Sequence, residues 1–127
     1  MIKEVSSDKA PKAIGPYSQS ISNGSLMIIS GQLPINSETG EFSGENIKSQ
    51  TRQSLENIKA ILAEAGLGMA DVMKSTVYLQ NMSDFKDMNE VYAEYFNSPF
   101  PARAAFEVAK LPLNALVEIE VIANHNS

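Results

Sequence analysis

The chain of 127 residues contains no cysteine and a single histidine, His125. Without cysteine it can form no disulfide bond, no thiolate nucleophile and no cysteine metal site. His125 stands close to the end of the sequence, where we expect a solvated side chain. One histidine in such a position provides neither a Ser-His-Asp triad nor a histidine metal cluster. The residues therefore exclude a cysteine nucleophile, a Ser-His-Asp triad and metal sites built on cysteine or on clustered histidines.

Basic clusters and long apolar runs are also missing. The 10 Lys and Arg residues are scattered singly, and the net charge is −5. Nucleic-acid binders normally carry a basic stripe that neutralises phosphates, so we do not expect nucleic acid as the main partner. No apolar run approaches the ~20 residues that a membrane-spanning helix needs. The first residues lack the apolar core of a signal peptide, so we expect a cytoplasmic protein without membrane association.

The pattern of apolar residues predicts one α+β domain over residues 1–127, with 43% hydrophobic residues for its core. Helices are predicted at 46–65, stopped by Gly66, and at 84–96, capped by Ser83. The apolar stripe of the second helix comprises Phe85, Met88, Tyr92 and Phe96. The sequence Asn23-Gly24 predicts a type I′ hairpin turn between strands 17–22 and 25–30. Further strands are predicted at 2–5, 72–81, 103–109 and 116–123, which makes the order βββαβαββ, with both helices on one face of the sheet.

Two strands are apolar on both faces. Residues 26–29 are all apolar, and residues 116–122 are apolar apart from Glu118 and Glu120. Since two helices can cover only one face of the sheet, a second cover is required. We therefore predict a homo-oligomer, in which another copy of the chain packs on the face opposite the helices.

Arg103 is the most conspicuous charged residue, because it lies in the apolar stretch 100–112 between small neighbours. Along the predicted strand, Arg103, Ala105 and Glu107 share one face, while Ala104 and Phe106 share the other. A guanidinium group can hold a carboxylate or phosphate through two parallel hydrogen bonds. The alternative is an ordinary charged side chain on the solvated face of a strand.

Glu118 and Glu120 lie on the face of the last strand that we expect to be turned away from the helices. The short segment 111–115 predicts that the last two strands pair as a hairpin, which would place Glu118 near Arg103 if both share a face. Such charges could form a structural salt bridge, protect a sheet edge, or do chemistry. One arginine for an anion and carboxylates for protons suit the hydrolysis of a 2-imino acid, whose C=N carbon is already electrophilic.

Seven stretches in order resemble the RidA (YjgF) family over about residues 11–123. They are AIGPYSQ at 13–19, SGQLP at 30–34, DVMKSTV at 71–77, the segment 85–92, PAR at 101–103, the segment 108–112 and EIE at 118–120.

The resemblance implies a chorismate-mutase-like fold with a mixed sheet, assembled as a homotrimer with active sites between subunits. It implies a deaminase that hydrolyses 2-iminobutanoate and 2-iminopropanoate to 2-keto acids and ammonia, a role in the control of metabolite damage, with no cofactor and no metal. Arg103 would hold the substrate carboxylate, and Glu118 would activate the attacking water. The substrate-binding residues would be Tyr17, Gly31, Asn89 and Ala105, with Tyr17 facing the arginine of a neighbouring subunit.

Two alternatives to the deaminase remain. One is a non-catalytic trimeric regulator that binds a keto acid or a similar small carboxylate. The other is a translation inhibitor or endoribonuclease, a function described for some family members. Many members have Ser-Cys where this chain has Ala104-Ala105, so any role of a thiol there is lost, whereas a backbone contact at Ala105 would survive.

Overall fold

The computed structural model describes residues 1–125 and confirms the predicted order of elements. The helices are α1 (Ile47–Glu64) and α2 (Phe85–Tyr92). The strands are β1 (Lys3–Glu4), β2 (Ser20–Ser22), β3 (Leu26–Gln32), β4 (Val72–Leu79), β5 (Ala102–Glu107) and β6 (Val117–Asn124).

The six strands form one sheet in the order β1-β2-β3-β6-β4-β5. Neighbouring strands are antiparallel except for β4 and β5, which are parallel. The predicted hairpin of the last two strands is therefore wrong, because β4 lies between them. The end of β4 is hydrogen-bonded toward β5 on one side and toward β6 on the other. Val108 N–H donates to the Leu79 carbonyl at 2.9 Å, and Gln80 N–H donates to the Leu116 carbonyl at 3.0 Å. The segment between β5 and β6 thus crosses the end of β4 instead of making a tight turn.

Helix α1 begins and ends where local signals predict. The Asn46 side chain accepts a hydrogen bond from the Ser49 amide at 2.8 Å and caps the first turn. At the other end, Gly66 has φ +75°, and Leu67 N–H donates to the Leu62 carbonyl at 2.9 Å, which completes a Schellman motif. These contacts satisfy backbone groups that the helix itself leaves unpaired.

Helix α2 is shorter than predicted. Residues Met82–Asp84 form a 3-10 turn before it, so Ser83 lies inside that turn and does not cap the helix. The predicted apolar stripe nevertheless packs inward, since Met88, Tyr92 and Phe96 are buried. The stripe therefore predicts the buried face correctly, although the last turn of the predicted helix, after Tyr92, is not α-helical.

The first hairpin also differs in detail from the prediction. Its tip lies at Gly24 and Ser25, one residue further along than expected, since Asn23 N–H donates to the Leu26 carbonyl. Gly24 has φ +91°, whereas Asn23 is not among the residues with positive φ, so this is not a type I′ turn at 23–24. Strand β2 covers only Ser20–Ser22, and Tyr17 lies in the preceding bend.

Both helices pack on one face of the sheet, which we call the helix face, and the core lies between the helices and the sheet. Among its fully buried side chains are Met27 and Ile29 of β3, Leu55, Ile58 and Leu62 of α1, Val77 of β4 and Ile119 of β6. The opposite face, which we call the open face, carries Ile28 and Phe106, exposed by 51% and 43%. The prediction that β3 is apolar on both sides is confirmed, and no other segment of residues 1–125 covers Leu26 and Ile28 on its open side. Among the helices of residues 1–125, none is long and apolar enough to cross a membrane.

Candidate active site

Arg103 lies on the helix face of β5, at the edge of the sheet. It is in register with Ser75 of β4, and Ser75 is in register with the buried Val121 of β6. Glu118 is instead in register with Tyr78 of β4, and its neighbours Val117 and Ile119 point into the core. Glu118 therefore belongs to the open face. The sequence interpretation that could bring Arg103 and Glu118 together within one chain is wrong, because the two side chains leave opposite faces of the sheet.

Helix α2 positions the guanidinium group of Arg103. Its Nη1 donates to Oδ1 of Asn89 at 2.6 Å. The guanidinium carbon lies 4.8 Å from the centre of the Tyr92 ring and 5.5 Å from that of Phe85, within the range of cation–π contacts. Two aromatic rings and one amide thus orient the arginine, and Asn89, which the resemblance assigns to substrate binding, contacts it directly.

The support under Arg103 extends into the core. The Tyr92 hydroxyl and the Ser75 hydroxyl are hydrogen-bonded at 2.6 Å, and Ser75 is completely buried. Burial raises the pKa of Tyr92, so its phenol remains neutral beneath the positive charge. A ring fixed at its hydroxyl end provides a rigid seat for the guanidinium group.

A pocket of about 370 Å³ opens beside Arg103. Within residues 1–125, Arg103 forms no salt bridge with a carboxylate, so the remaining N–H groups of its fork are available to an anion. A carboxylate bound there would meet a planar donor pair that is already oriented. The pocket is lined by Asn89, Tyr92, Ala93, Phe100, Pro101 and Arg103.

Glu118 lies directly over Gly31 of β3. A Cβ atom built at Gly31 would stand 2.0 Å from Oε2 of Glu118, so this position leaves room for the carboxylate only because it is a glycine. Burial, and secondly the charge of Glu120, raise the pKa of Glu118 above its ordinary value. The two residues that the sequence analysis placed in the site, Gly31 and Glu118, therefore touch each other, and the carboxylate is a better base than a solvated one.

The Glu118 carboxylate faces a cleft of about 260 Å³ on the open face. The Tyr78 hydroxyl donates a hydrogen bond to Oε1 of Glu120 in this cleft. Glu118 and Glu120 therefore line the same cleft as the phenol of Tyr78, a neighbour that the sequence analysis does not predict. The lining comprises Gly31, Tyr78, Val108, Lys110, Leu111, Pro112, Glu118 and Glu120.

Tyr17 lines a separate groove of about 350 Å³, which also includes Gly31 and Lys12. The Tyr17 side chain is 52% exposed, so it lies in the wall of this groove and not in the core. Since Gly31 belongs to both hollows, the groove of Tyr17 and the cleft of Glu118 adjoin.

Ala105 pairs with Val77 of β4 and is partly buried against the core. Its strand, β5, is at the edge of the sheet, so half of the backbone groups of β5 point away from any ladder partner. A backbone contact to a ligand is therefore possible along this edge, two residues from Arg103.

His125 is not the solvated tail residue that we expected. Its Nδ1 is hydrogen-bonded to Oγ of Ser22 at 2.5 Å, and its backbone N–H donates to the Ser25 carbonyl at 2.9 Å. These contacts fasten the end of β6 to the first hairpin. Among residues 1–125, no group of three or more His, Cys, Asp or Glu side chains could hold a metal ion.

The sequence analysis did not predict the two aromatic rings that contact Arg103, or the Tyr78 phenol beside Glu120. Phe85 and Tyr92 are predicted in the core stripe of the second helix, and both pack against the core. The prediction is incomplete, since both rings also contact the guanidinium group. Tyr78 alternates with buried residues in β4, so the pattern marked it as facing away from the core without showing what it meets. Only the pairing of β4 with β6 brings it to Glu120.

The fold and the site define an α+β protein with an arginine pocket on one face of its sheet and a half-buried carboxylate on the other. A family model described as endoribonuclease L-PSP matches residues 7–125. A RutC family protein of Pyrococcus horikoshii is 56% identical over 123 residues, which are 97% of this chain and 98% of that protein. The 2-iminobutanoate/2-iminopropanoate deaminase of Salmonella typhimurium is 45% identical over 126 residues, 97% of this chain and 98% of that protein.

The solved structures agree with these relatives. The crystal structure of the YjgF gene product of Escherichia coli matches with a TM-score of 0.93 at 43% identity, covering 98% of this chain and 99% of that one. The chain therefore belongs to the RidA (YjgF) family, and the resemblance inferred from its seven stretches is confirmed.

Proposed function

We propose that this protein hydrolyses small 2-imino acids, such as 2-iminobutanoate and 2-iminopropanoate, to 2-keto acids and ammonia. The observation that carries the proposal is the guanidinium group of Arg103, oriented by Asn89 and two aromatic rings beside an open pocket. Such a fork suits the carboxylate that every 2-imino acid carries. The relative of Salmonella typhimurium that bears the name of this activity supports the same substrate class.

In the proposed reaction, the water oxygen adds to the C=N carbon while Glu118 takes a proton from the water. Glu118 passes that proton to the imine nitrogen, which gives a carbinolamine. As the C–N bond of the carbinolamine breaks, its hydroxyl proton moves to the nitrogen through Glu118, so that ammonia leaves and the C=O bond of the keto acid forms. The raised pKa of Glu118 brings the base closer to the working pH, which favours proton transfer. Arg103 holds the substrate carboxylate throughout, and this chemistry needs no redox partner.

We further propose that the complete site lies between subunits of a homotrimer. Arg103 and Glu118 leave opposite faces of the sheet, so one chain alone offers only half of the site to a small substrate. A second copy on the open face would bring its own arginine pocket toward the cleft of Glu118 and Gly31. In this arrangement Tyr17 closes the substrate pocket from the neighbouring chain, and Ala105 offers backbone hydrogen bonds.

The activity test follows the decay of 2-iminobutanoate, generated in place by a threonine dehydratase. We expect the wild-type protein to accelerate decay and Arg103→Ala to lower kcat/KM about 100-fold, because a charge-assisted double hydrogen bond is lost. Arg103→Lys should lose most activity too, since an ammonium group cannot reproduce the fork. Arg52→Ala is the matched control, because Arg52 pairs with Glu94 on the exposed side of the helices. Activity of Arg103→Ala equal to that of the control would refute the carboxylate clamp.

The binder alternative makes a different prediction for Glu118. If the protein is a deaminase, Glu118→Gln should reduce kcat while leaving the affinity for a 2-keto acid nearly unchanged, because the amide cannot accept the proton. Calorimetric titration with 2-ketobutyrate measures that affinity. Keto-acid binding by a wild-type protein that does not accelerate imine decay would support the non-catalytic regulator instead.

The description of the family model as an endoribonuclease favours RNA cleavage as a second candidate. The net charge of −5 disfavours RNA as the main substrate. Incubation of a labelled single-stranded RNA with wild-type protein and with Arg103→Ala tests it. Cleavage by the wild type that disappears in the variant would support this candidate.

A further inference from the structure

The proposed reaction uses Glu118 but leaves the second carboxylate of the cleft, Glu120, without a role. Both residues line the same hollow and lie on the same face of β6, since they are two positions apart in a strand. An acidic pair in a half-buried site repels itself and costs stability. Its presence therefore requires a reason beyond packing.

Tyr78 holds Glu120 in the cleft. The phenol stands on β4, between β5 and β6, and its hydroxyl donates to Oε1 of Glu120. Its ring meets the ring of Phe106 edge-to-face, with centroids 5.4 Å apart and planes at 85°. The hydrogen bond to Glu120, followed by burial, raises the pKa of Tyr78 to about 12, so the phenol stays a donor across the working pH range. The hydrogen bond thus holds the Glu120 carboxylate in position in the cleft that it shares with Glu118.

The other charged groups around Glu118 are cations at the margins of the face. Lys110, from the segment between β5 and β6, lines the cleft, and Lys12 lies in the adjoining Tyr17 groove. Lys74 of β4 donates to Oγ1 of Thr76, the residue in register with Glu120. The pKa of Glu118 is raised by its burial and then by the charge of Glu120, so these cations do not cancel that repulsion.

We propose that Glu120, anchored by the Tyr78 hydroxyl, is a positioning residue that makes the Glu118 carboxylate a stronger base toward the attacking water. The inference rests on the proposed deaminase function. Glu120 touches neither substrate nor water in this scheme; it acts by placing a fixed negative charge along the strand from the base. Repulsion between the two carboxylates favours the state in which Glu118 has taken up a proton.

The test compares the pH dependence of kcat/KM in wild type, Glu120→Gln and Tyr78→Phe, with 2-iminobutanoate as substrate. The acid limb reports the ionisation of the base. In Glu120→Gln it should move to lower pH, and the plateau should fall about threefold, because a weaker base removes a proton less readily. Tyr78→Phe should move the acid limb in the same direction by a smaller amount, because the Glu120 carboxylate remains but loses the hydrogen bond that positions it. KM should change little, since Arg103 is untouched.

Glu107→Gln is the matched control. It removes one charge from the same sheet, but Glu107 pairs with Leu79 on the helix face and accepts a hydrogen bond from the Met82 amide at 2.8 Å. Its acid limb should coincide with that of the wild type. A carbon-13 titration of the Glu118 carboxyl group in substrate-free protein gives a second readout, which should shift in Glu120→Gln and not in the control.

The possible failures are separable. If the wild type hydrolyses the imine and neither the acid limb nor the carboxyl titration moves in Glu120→Gln, the positioning role is wrong while the deaminase stands. If the wild type hydrolyses no imine, the proposed function fails and the role of Glu120 as an aid to the base falls with it.

Discussion

A missing side chain at Gly31 makes room for the carboxylate of Glu118. The absence of a Cβ there is the reason that Glu118 can lie against β3 and remain half-buried. Glycine is usually explained by its backbone freedom, but Gly31 has no positive φ, so close approach is the relevant property here. The family resemblance assigns Gly31 to substrate binding, and the structure adds this steric role.

At this scale we predict that Gly31→Ala lowers kcat at least about tenfold without unfolding the protein. The new methyl group would displace Oε2 of Glu118, a flexible end that can turn away at little cost to stability, and misplacing a reacting group strongly slows a reaction. Imine decay and the circular dichroism melting curve measure the two effects. Gly68→Ala is the control, because a Cβ at Gly68 meets no atom within 4 Å. Full activity of Gly31→Ala would show that the position of Glu118 does not matter.

At the scale of elements, α1 does more than cover the sheet. Asn57, in the buried face of the helix, donates from Nδ2 to the carbonyls of Leu33 at 3.2 Å and Ile35 at 3.0 Å. Leu33 and Ile35 line the groove of Tyr17. One amide of the helix therefore holds the segment after β3 that forms one wall of the candidate site.

We predict that Asn57→Asp destabilises the fold by about 3 kcal/mol, because a carboxyl group would replace the donor in a buried site and face two carbonyl oxygens. Asn46→Asp makes the same chemical change at the N-cap of the same helix, where aspartate is an equally good cap, so its stability should be unchanged. Urea unfolding at one protein concentration compares the two. Equal stability of both variants would mean that Asn57 does not hold the segment.

At the scale of the whole molecule, the open face is the surface where we propose that subunits meet. Ile28 is in register with Ile21 of β2 and Ile122 of β6, so an apolar row crosses three strands, and Ile28 at its centre is exposed in the described part of the chain. Such a row on a sheet face is typical of a contact between subunits. The homotrimer remains a proposal, and so does the cytoplasmic location.

We predict that light scattering of the wild-type protein gives about three times the chain mass of 13.8 kDa. Ile28→Lys should both lower the mass toward that of the monomer and abolish activity, because the proposed subunit contact and the proposed active site both depend on the open face. Met82→Lys is the control; Met82 is also exposed, by 42%, but lies in the turn before α2. A wild-type mass of one chain would refute the site between subunits.

Local pattern was sufficient for most elements of this protein. The spacing of apolar residues predicts α1, and Asn46 and Gly66 mark its ends through hydrogen bonds to nearby backbone groups. The alternation in β6 correctly separates Val117, Ile119 and Val121 from Glu118 and Glu120. These features depend on residues a few positions apart, so they can be read along the chain.

The arrangement of the site depends instead on strand order and register. The short segment before β6 suggested a hairpin, but β4, which comes much earlier in the chain, occupies the place between β5 and β6. Side chains alternate with a period of two, so the face of Arg103 relative to Glu118 is undetermined until the pairing of both strands with β4 is known. Long-range pairing therefore separates Arg103 from Glu118, joins Glu118 to Gly31 and brings Tyr78 to Glu120, whereas the chemistry of each side chain is already present in the sequence.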